Sequence, residues 1–371
     1  MSVLDDLDPA TRALLERYGF DAAGFEELRV RVASGELSPA SNVVPGIVEP
    51  PGEGDVVRLA EPGTRTHEEA RAVGLEALRS GRVASVVLAG GMATRFGGVV
   101  KGVVEAHRGR SFLSWKLGET ARLGAELGVE IPTAVMTSFS TDEQTREHVH
   151  GLDVPEPIWF SQSVSLRLEP DGSLFRTDDG LPSPYAPGHG DLVEALGAQG
   201  AVASLRDRGV DVVIVSNVDN LGARLDPDVI GAHLVAGAAM TSEVARKEGD
   251  MGGAPARVDG RLMLLEGPRF PPTFDQGRID VFNTNTATFD LAVFDEAYAL
   301  MWLYVEKDVE GRTAVQLERL YHELSSFVPT TFLEVPRTGP RGRFFPIKTP
   351  DDLDRSQPLL EEMLAASPLD G

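Results

Sequence analysis

A glycine-rich loop at residues 89–101 follows an apolar strand and carries two basic side chains. Adjacent Gly90 and Gly91 let the backbone approach a phosphate and direct its N–H groups at it. Arg95 and Lys101 supply the positive charge that a transferring phosphoryl group needs. The loop has neither the Gly-Lys-Ser/Thr of a Walker A motif nor the Gly-x-Gly-x-x-Gly of a dinucleotide fold. It predicts a site for a nucleoside triphosphate. The alternative, which this segment alone does not exclude, is a glycine-rich turn that only joins a strand to a helix.

An aspartate at the end of a second apolar strand is the candidate metal ligand. Asp219 follows strand residues 211–216, and a carboxylate in that position can hold Mg²⁺ against phosphate oxygens while the ion keeps several waters. The alternative is that Asn217 or Asp219 only caps the next turn. Ligands of open α/β sheets gather where loops leave the carboxyl ends of the strands. We therefore expect Asp219 and the glycine-rich loop to meet over one crevice.

Two asparagines on a later strand are candidates for binding a sugar. Asn283 and Asn285 are two residues apart, so both side chains can point to the same face of a sheet, towards the hydroxyls of a hexose. An amide ladder between neighbouring strands is the alternative.

The composition excludes some classes of partner. The 371 residues are 42% apolar and 25% charged, which suits a globular protein of about two domains. A formal net charge of −22 disfavours nucleic acid and anionic membranes, because repulsion opposes their association with the protein. The chain has no cysteine and no apolar run of signal-peptide or membrane-span length. The sequence predicts a cytoplasmic protein.

The order of the apolar segments predicts an α/β fold. Short, nearly continuous apolar strands alternate with helix-spaced segments, a pattern typical of a mostly parallel or mixed central sheet with helices on both faces. Residues 8–33 predict a helical preface, and the proline- and glycine-rich residues 39–62 predict an extended linker. The predicted strands are 83–88, 132–137, 157–160, 211–216, 241–247, 256–265 and 278–282. The predicted helices are 66–80, 111–127, 140–149, 192–208, 290–304, 314–325 and 350–365.

Five motifs occur in an order that resembles one enzyme family. They are the glycine-rich loop, Pro-Gly-His-Gly-Asp at 187–191, Val-Ser-Asn-Val-Asp-Asn-Leu-Gly-Ala at 215–223, Phe-Asn-Thr-Asn at 282–285 and the basic segment 334–348. The set covers about residues 83–355 and resembles the UTP:glucose-1-phosphate uridylyltransferases of the eukaryotic type. The resemblance implies a Rossmann-like fold of the nucleotide-diphospho-sugar transferase kind. We expect a helical preface and linker at 1–80, a catalytic domain at 81–355, and a C-terminal helix and tail at 356–371.

The resemblance implies roles for residues in these motifs. Lys101 is expected to contact the triphosphate, Lys348 to contribute charge to the phosphates of both substrates, and Gln162 to hydrogen-bond the uracil edge. Gly188 is expected against the uridine and His189 on the sugar phosphate. The predicted site residues are, for catalysis, Arg95, Lys101 and Lys348; for the nucleotide, Leu88, Ala89, Gly90, Gly91, Gln162, Gly188 and Asn217; for the sugar, His189, Asn283 and Asn285; and for the metal, Asp219.

The implied reaction joins UTP to a sugar 1-phosphate, with glucose 1-phosphate as the expected sugar and Mg²⁺ as cofactor, and gives a UDP-sugar and pyrophosphate. A sugar phosphate is already ionised at neutral pH, so His189 need not act as a general base. We expect a monomer or small homo-oligomer that binds neither nucleic acid nor membranes. The chain ends about twenty residues after Lys348, so the C-terminal β-helix through which eukaryotic members assemble is expected to be absent.

Departures from the family pattern in the glycine-rich loop leave alternatives open. Val100 stands where the family has proline before the lysine, Ala93 replaces a usual glycine, and the loop is one residue shorter. Thr94 and Arg95 resemble instead the loop of bacterial sugar-nucleotide synthases, in which arginine steadies the departing pyrophosphate. The alternatives are N-acetylglucosamine or galactose 1-phosphate as substrate, and a non-catalytic nucleotide-sugar-binding protein. A glycosyltransferase is disfavoured, because residues 217–219 do not form an Asp-x-Asp metal motif.

Overall fold

The computed structural model describes residues 7–93, 98–250, 252–345, 347 and 349–369. Arg95 and Lys348, two of the predicted site residues, lie outside these described residues. The α-helices of the described part are α1 Pro9–Arg17, α2 Ala22–Ala33, α3 Arg65–Arg79, α4 Phe112–Leu127, α5 Asp142–His150, α6 Leu192–Ala198, α7 Ala201–Asp207, α8 Pro227–Ala236 and α9 Pro350–Ala365.

The strands of the described part range from two to ten residues in length. They are β1 Val48–Glu49, β2 Val56–Arg58, β3 Val83–Leu88, β4 Met92–Ala93, β5 Val99–Val100, β6 Glu105–His107, β7 Arg110–Ser111, β8 Thr133–Thr137, β9 Ile158–Ser161, β10 Ser165–Leu166, β11 Pro184–Tyr185, β12 Val212–Asn217, β13 Met240–Arg246, β14 Ala254–Val258, β15 Arg261–Leu265, β16 Val281–Asp290, β17 Leu303–Val309, β18 Arg312–Glu318 and β19 Thr330–Glu334.

A central sheet of eight strands has the order β2-β19-β13-β16-β12-β3-β8-β9. Neighbouring strands are parallel except at β16, which runs antiparallel to both β13 and β12. Leu88 at the end of β3 is in register with Asn217 at the end of β12, and Ser216 is in register with Thr286. Because β16 runs in the opposite direction, its first residues lie at the edge where β12, β3, β8 and β9 end. That edge is where a ligand of an open α/β sheet binds.

Both faces of this sheet are covered by helices, as the apolar strands predict. Every residue of β3 is buried, and its side chains alternate between the two faces of the sheet. Val86 packs in a cluster with α6 and α7, whereas Val87 packs in a cluster with α4 and α9. The prediction of an α/β fold with a mostly parallel or mixed sheet between two layers of helices is confirmed.

The amino-terminal region is helical, and the predicted linker contributes strands. Side chains of α1 and α2, among them Leu15 and Phe25, pack against Tyr304 and Val315 of β17 and β18. The extended segment 39–62 contains β1, which pairs with β14, and β2, which forms one edge of the central sheet. The division of the chain into domains at residues 80 and 355 stays a prediction.

The helices predicted at 290–304 and 314–325 are wrong. The first region is a short 3₁₀ helix, Leu291–Asp295, followed by β17, and the second is β18 followed by the 3₁₀ helix Tyr321–Ser326. β17 and β18 form an antiparallel hairpin whose turn residues Glu310 and Gly311 have φ angles of 56° and 75°. Positive φ at both central positions is the geometry of a type I′ hairpin turn, which matches the twist of the two strands. This turn and the cross-strand pairing outweigh the helical spacing of the apolar residues.

The helix predicted at 192–208 is divided into α6 and α7. Gly200 lies between them with a φ of 79°, a left-handed conformation that ends the regular helical path. The closing helix is confirmed as α9, whose first turn has a capping box between Thr349 and Asp352. In the segments that the structure describes, no helix combines the length and apolar character needed to cross a membrane.

Candidate functional site

The glycine-rich loop begins where β3 ends, and the backbone of its first residues is held by the turn that precedes α5. Thr141 Oγ1 donates to the carbonyl of Ala89, and Ser138 Oγ donates to the carbonyl of Gly90 at 2.8 Å. A Cβ on Gly90 would stand 3.0 Å from Gln162 Oε1, so this glycine lets the loop lie close to Gln162. A Cβ on Gly91 would meet nothing within 4 Å. Gly90 is therefore packed against the protein, whereas Gly91 is open to a ligand.

Lys101 and Asp219, predicted for the triphosphate and the metal, form an ion pair. The backbone N–H of Lys101 also donates to the carbonyl of Gly91 at 3.3 Å, which ties the lysine to the glycine-rich loop. The Lys101 and Asp219 side chains are 20% and 15% exposed, so water and small ions reach both. The structure thus brings together the two loops that leave β3 and β12, with a cation and an anion facing each other at their meeting point.

Two residues predicted for the uridine, Gln162 and Gly188, are joined by a hydrogen bond. Gln162 Nε2 donates to the carbonyl of Gly188 at 3.0 Å, and the Gln162 backbone N–H donates to the carbonyl of Thr137 at the end of β8. Gly188 has a φ of 90°, and a Cβ there would come within 2.7 Å of the Arg319 carbonyl oxygen. Any other residue at this position would be strained and would collide with backbone.

His189 is held as a neutral ring with a defined tautomer. Burial lowers the pKa of His189 to about 4, so the imidazole carries no charge at neutral pH. Its Nδ1 accepts a hydrogen bond from the backbone N–H of Tyr321 at 3.3 Å. Because Nδ1 accepts, the single proton resides on Nε2, which can donate to a phosphate oxygen or a hydroxyl.

Arg319 anchors the segment that carries His189, and the sequence did not reveal it. Its guanidinium donates to Asp191 Oδ1 at 2.7 Å and to Glu194, and it lies over the Trp302 ring. Asp191 is buried and also accepts from the backbone N–H of Ser163, next to Gln162. A buried carboxylate needs such a partner, because an unpaired charge is costly to bury. No local motif signals this contact, since 128 residues separate Arg319 from Asp191.

The two candidate sugar-binding asparagines lie at a bulge in β16. The register between β13 and β16 shifts between Ser242 and Val244, and Asn285 has a φ of 56°. Asn283 Oδ1 accepts from the Asn285 backbone N–H at 2.9 Å, and Asn285 Nδ2 donates to Asn217 Oδ1 at 2.8 Å. Both asparagines are half-buried and lie next to the loop that carries Asp219.

Glu266, just beyond β15, is a further polar residue beside the asparagines. It accepts a weak hydrogen bond from Asn283 Nδ2 at 3.4 Å, and burial raises the pKa of its carboxyl to about 7. The sequence interpretation followed the strand pattern only to residue 265 and missed it. A carboxyl group that titrates near neutrality next to Asn283 is a candidate partner for a sugar hydroxyl.

We expect Glu266→Gln to stabilise the protein at pH 8 and to have little effect at pH 5. The folded-state pKa of about 7 lies above the ordinary value of 4.5, so folding stability is largest below pH 4.5 and declines as the pH rises through 7. Glutamine removes the buried ionisation, a gain on the order of 2 kcal/mol at pH 8. Thermal unfolding of both proteins at the two pH values measures it, with exposed Glu76 changed to Gln as the control. An equal shift at both pH values would contradict the raised pKa.

Lys116 of α4 holds the two ends of the loop that carries Asp219. Its Nζ donates to Ser216 Oγ at 3.0 Å and to the carbonyl of Ala223 at 2.7 Å, which lie on either side of that loop. Burial lowers the pKa of Lys116 to about 7. A lysine in a helix is usually on the surface, so the sequence carried no signal for this buried position.

The arginines of the basic segment at 334–348 are bound to carboxylates. Arg337 pairs with Asp250, Arg341 with Asp228, and Arg343 with Glu243; the last pair is fully buried and bidentate at 2.6 and 2.7 Å. These three guanidinium groups are therefore paired within the fold. Asn220 holds the same segment near the site, since its side chain bonds the backbone of Arg343 and Phe345, each at 3.0 Å.

Contacts among the candidate residues close into a ring, which we call the site ring. Each member touches the next through a hydrogen bond, an ion pair, a close packing contact or the chain itself. The site ring runs through Gly90, Gln162, Gly188, His189, Tyr321, Asn285, Asn217, Asp219, Lys101 and Gly91. The sequence predicted every member except Tyr321, and the members come from six separate segments of the chain.

Asp219 is the candidate for holding a divalent cation. Among the described residues no cluster of three or more His, Asp or Glu side chains could enclose a metal ion. Mg²⁺ does not require one, because it binds through one or two carboxylates together with water and substrate phosphate oxygens. A partly exposed carboxylate beside a candidate phosphate loop fits that mode of binding.

Comparisons with known proteins agree on one family. The family model described as UTP–glucose-1-phosphate uridylyltransferase matches residues 25–362. The Saccharomyces cerevisiae protein of that name is 29% identical over 292 residues, and the match covers 73% of this chain and 58% of the yeast protein. The chain thus spans less than two thirds of the length of this relative.

Two solved structures from Trypanosoma brucei share the fold. One, named UDP-glucose phosphorylase, has a TM-score of 0.74 at 23% identity and covers 93% of this chain and 78% of that protein. The other, a uridine diphosphate N-acetylglucosamine pyrophosphorylase, has a TM-score of 0.75 at 19% identity and covers 95% and 80%. The match to the family model covers most of this chain, residues 25–362. The chain therefore belongs to the UTP–glucose-1-phosphate uridylyltransferase family.

Proposed function

We propose that the protein is a nucleotidyltransferase that forms UDP-glucose and pyrophosphate from UTP and glucose 1-phosphate. The observation that carries this proposal is the site ring, in which residues proposed for base, phosphate, metal and sugar contact one another at one edge of the sheet. Family membership supports the same reaction. The structural alternatives were a plain turn for the glycine-rich loop, a cap for Asp219 and an amide ladder for the two asparagines. Three such independent features would not be expected to meet in one closed set of contacts.

The order of the strands supports an orientation for the substrates. Gln162 follows β9 and Gly90 follows β3, so the uracil would lie over the β9 side of the edge. Asn285 lies in β16 on the other side of β12, which suits the hexose. Lys101 and Asp219 lie between, over the junction of β3 and β12, where the phosphates of a UDP-sugar would be. Leu88, Ala89 and Asn217 would line the nucleotide along the same junction.

The proposed reaction requires mainly that the protein align the two substrates and neutralise the negative charge on their phosphates. A phosphate oxygen of glucose 1-phosphate attacks the α-phosphorus of UTP, and the bond to the bridging oxygen breaks as pyrophosphate leaves with the electron pair. Lys101 neutralises charge that develops on the phosphates, and His189 donates from Nε2 to the sugar phosphate. Mg²⁺ bound by Asp219 would supply further positive charge to phosphate oxygens. No proton has to be removed from the nucleophile.

We expect the protein to prefer UTP strongly over CTP, and Gln162→Ala to narrow that preference. A buried amide that pairs with the uracil imide would be mispaired against cytosine, at a cost of about 1–3 kcal/mol. Competition between UTP and CTP in both proteins measures the ratio. The control is Gln199→Ala. It removes an exposed amide that bonds the backbone of Ser161, at the end of β9 and next to Gln162. An unchanged UTP to CTP ratio in the Gln162 variant would remove this residue from the base site.

Release of pyrophosphate from UTP with a panel of sugar phosphates tests the proposed function. Glucose 1-phosphate should give the highest kcat/KM in the presence of Mg²⁺. A higher value with N-acetylglucosamine or galactose 1-phosphate would change the sugar and keep the reaction. No pyrophosphate with any sugar phosphate, together with measurable binding of UDP-glucose, would identify a non-catalytic nucleotide-sugar-binding protein instead.

A further inference from the structure

Tyr321 is the member of the site ring that no sequence motif predicted. It begins the 3₁₀ helix after β18 and is fully buried. Its hydroxyl donates to the carbonyl oxygen of Asn285 at 3.0 Å, and its backbone N–H donates to His189 Nδ1 at 3.3 Å. Its ring also meets the His189 ring edge-on, with 4.9 Å between the ring centres. One residue therefore contacts both segments that are proposed to bind the sugar phosphate.

The backbone at Asn285 depends on bonds from outside the sheet. The register shift leaves Thr284 and Asn285 without paired positions on β13 or β12, and Asn285 adopts the left-handed φ of 56°. Its N–H bonds to Asn283 and its side chain bonds to Asn217. The remaining backbone group, the carbonyl, accepts from Tyr321. A bulge that displaces residues from a ladder needs such replacement bonds, because buried backbone groups left unpaired are costly.

The Tyr321 hydroxyl is suited to this bond in its protonated form. Burial and the nearby Glu266 and Glu243 carboxylates raise the pKa of Tyr321 well above 10, so the hydroxyl keeps its proton and donates. On its other side, the backbone N–H of the same residue fixes which nitrogen of His189 carries the proton. Both effects act on groups that face the proposed hexose phosphate.

We propose that Tyr321 is a positioning residue that couples His189 to Asn285 and so sets the geometry of the sugar 1-phosphate site. The residue does not touch the substrate; it acts through the His189 tautomer and through the conformation of the bulge. The proposal rests on the proposed function, because it assigns the coupled segments to the sugar phosphate. It predicts that the hydroxyl matters for one substrate and not for the other, since Gln162 and Gly90 do not contact Tyr321 in the site ring.

Steady-state kinetics of Tyr321→Phe test the coupling. The variant keeps the ring against His189 and the backbone N–H bond, and removes only the bond to the Asn285 carbonyl. We expect the KM for glucose 1-phosphate to rise roughly tenfold, as for the loss of one buried hydrogen bond, while the KM for UTP stays unchanged. A role in folding alone would lower the melting temperature and the amount of active enzyme without separating the two KM values.

Tyr18→Phe is the matched control. Tyr18 is another buried tyrosine, whose hydroxyl donates to Asp142 at 3.4 Å in the amino-terminal region. Its variant loses the same atom without touching His189 or Asn285, so both KM values should stay at those of the unaltered protein.

The outcomes separate this inference from the proposed function. An active unaltered protein whose Tyr321→Phe variant keeps its KM for glucose 1-phosphate, or raises both KM values equally, would overturn the coupling and leave the proposed function standing. An unaltered protein that turns over no sugar phosphate would overturn both. If Tyr321→Phe does not fold, the ¹⁵N NMR spectrum of His189 in the unaltered protein decides: a proton on Nε2 supports the coupling, and a proton on Nδ1 overturns it.

Discussion

Replacing Lys101 with alanine should lower turnover with UTP and glucose 1-phosphate by at least about a hundredfold, because removing one preorganised charge from a phosphoryl-transfer site costs about 2.7–4 kcal/mol. Lys101 is fixed in place by its ion pair with Asp219 and by its backbone bond to Gly91. Its side chain is partly exposed, so the variant should fold with a melting temperature close to that of the unaltered protein. Pyrophosphate release per folded molecule is the measurement.

Lys307→Ala is the control for this prediction. Lys307 also pairs with a carboxylate, Glu318 at 3.7 Å, but its side chain is exposed on the hairpin of β17 and β18. Removing it takes away one charge of the same kind and should leave turnover near normal. If the Lys101 variant also turns over at a near-normal rate, Lys101 is not the phosphate-binding lysine. Arg95 and Lys348 would then be the candidates to substitute next.

The inner strands β3 and β12 of the central sheet could be predicted because their signals are local, whereas β19 was not predicted and β2 was predicted only as part of an extended linker. A parallel strand buried on both faces is apolar along most of its length, so residues 83–88 and 211–216 can be predicted as strands without knowledge of their neighbours. The hairpin of β17 and β18 has no such signal. Its residues pair with each other across the hairpin and pack against Leu15 and Phe25 of the amino-terminal helices, nearly 300 positions away in the chain, and the apolar spacing of the segment does not reveal these contacts.

The candidate site likewise contains residues that local motifs reveal and residues that only long-range contacts reveal. The glycines, Asp219 and the asparagines are in short motifs at the ends of strands, and the strand order brings those ends to one edge. Arg319, Tyr321, Glu266 and Lys116 could not be found, because each acts through contacts with distant segments. The arginines of the basic segment, to which the sequence analysis gave no individual roles, each have a carboxylate partner that the local sequence does not reveal.

The ion pair joins Lys101, which is proposed to bind the phosphates, to Asp219, which is proposed to bind the metal. A cation bound by Asp219 would share this carboxylate with the Lys101 ammonium, and the two positive charges would repel each other, so we expect metal binding to weaken the ion pair. Loss of Lys101 should therefore not raise the Mg²⁺ concentration needed for half-maximal activity, even though turnover falls. This separates a lysine that serves the phosphates from one that only holds Asp219 in place.

Asp219→Asn should abolish Mg²⁺-dependent turnover. An amide keeps the shape of the side chain but loses the negative charge that a hard cation prefers. Raising the Mg²⁺ concentration should not restore the activity, whereas the Lys101 variant should keep a low activity that depends on Mg²⁺ with an unchanged half-maximal concentration. Mg²⁺ titrations of pyrophosphate release in both variants make the comparison.

Asp211→Asn is the control for Asp219→Asn. Asp211 immediately precedes β12, at the end opposite Asp219, and pairs with Arg82 at the protein surface. Removing its charge should leave turnover and metal dependence unchanged. The competing explanation of Asp219 is a structural cap, which predicts a large fall in melting temperature with the activity per folded molecule retained. Because the Asp219 carboxylate faces Lys101 at the meeting point of the two loops, we expect the reverse: a stable protein without metal-dependent activity.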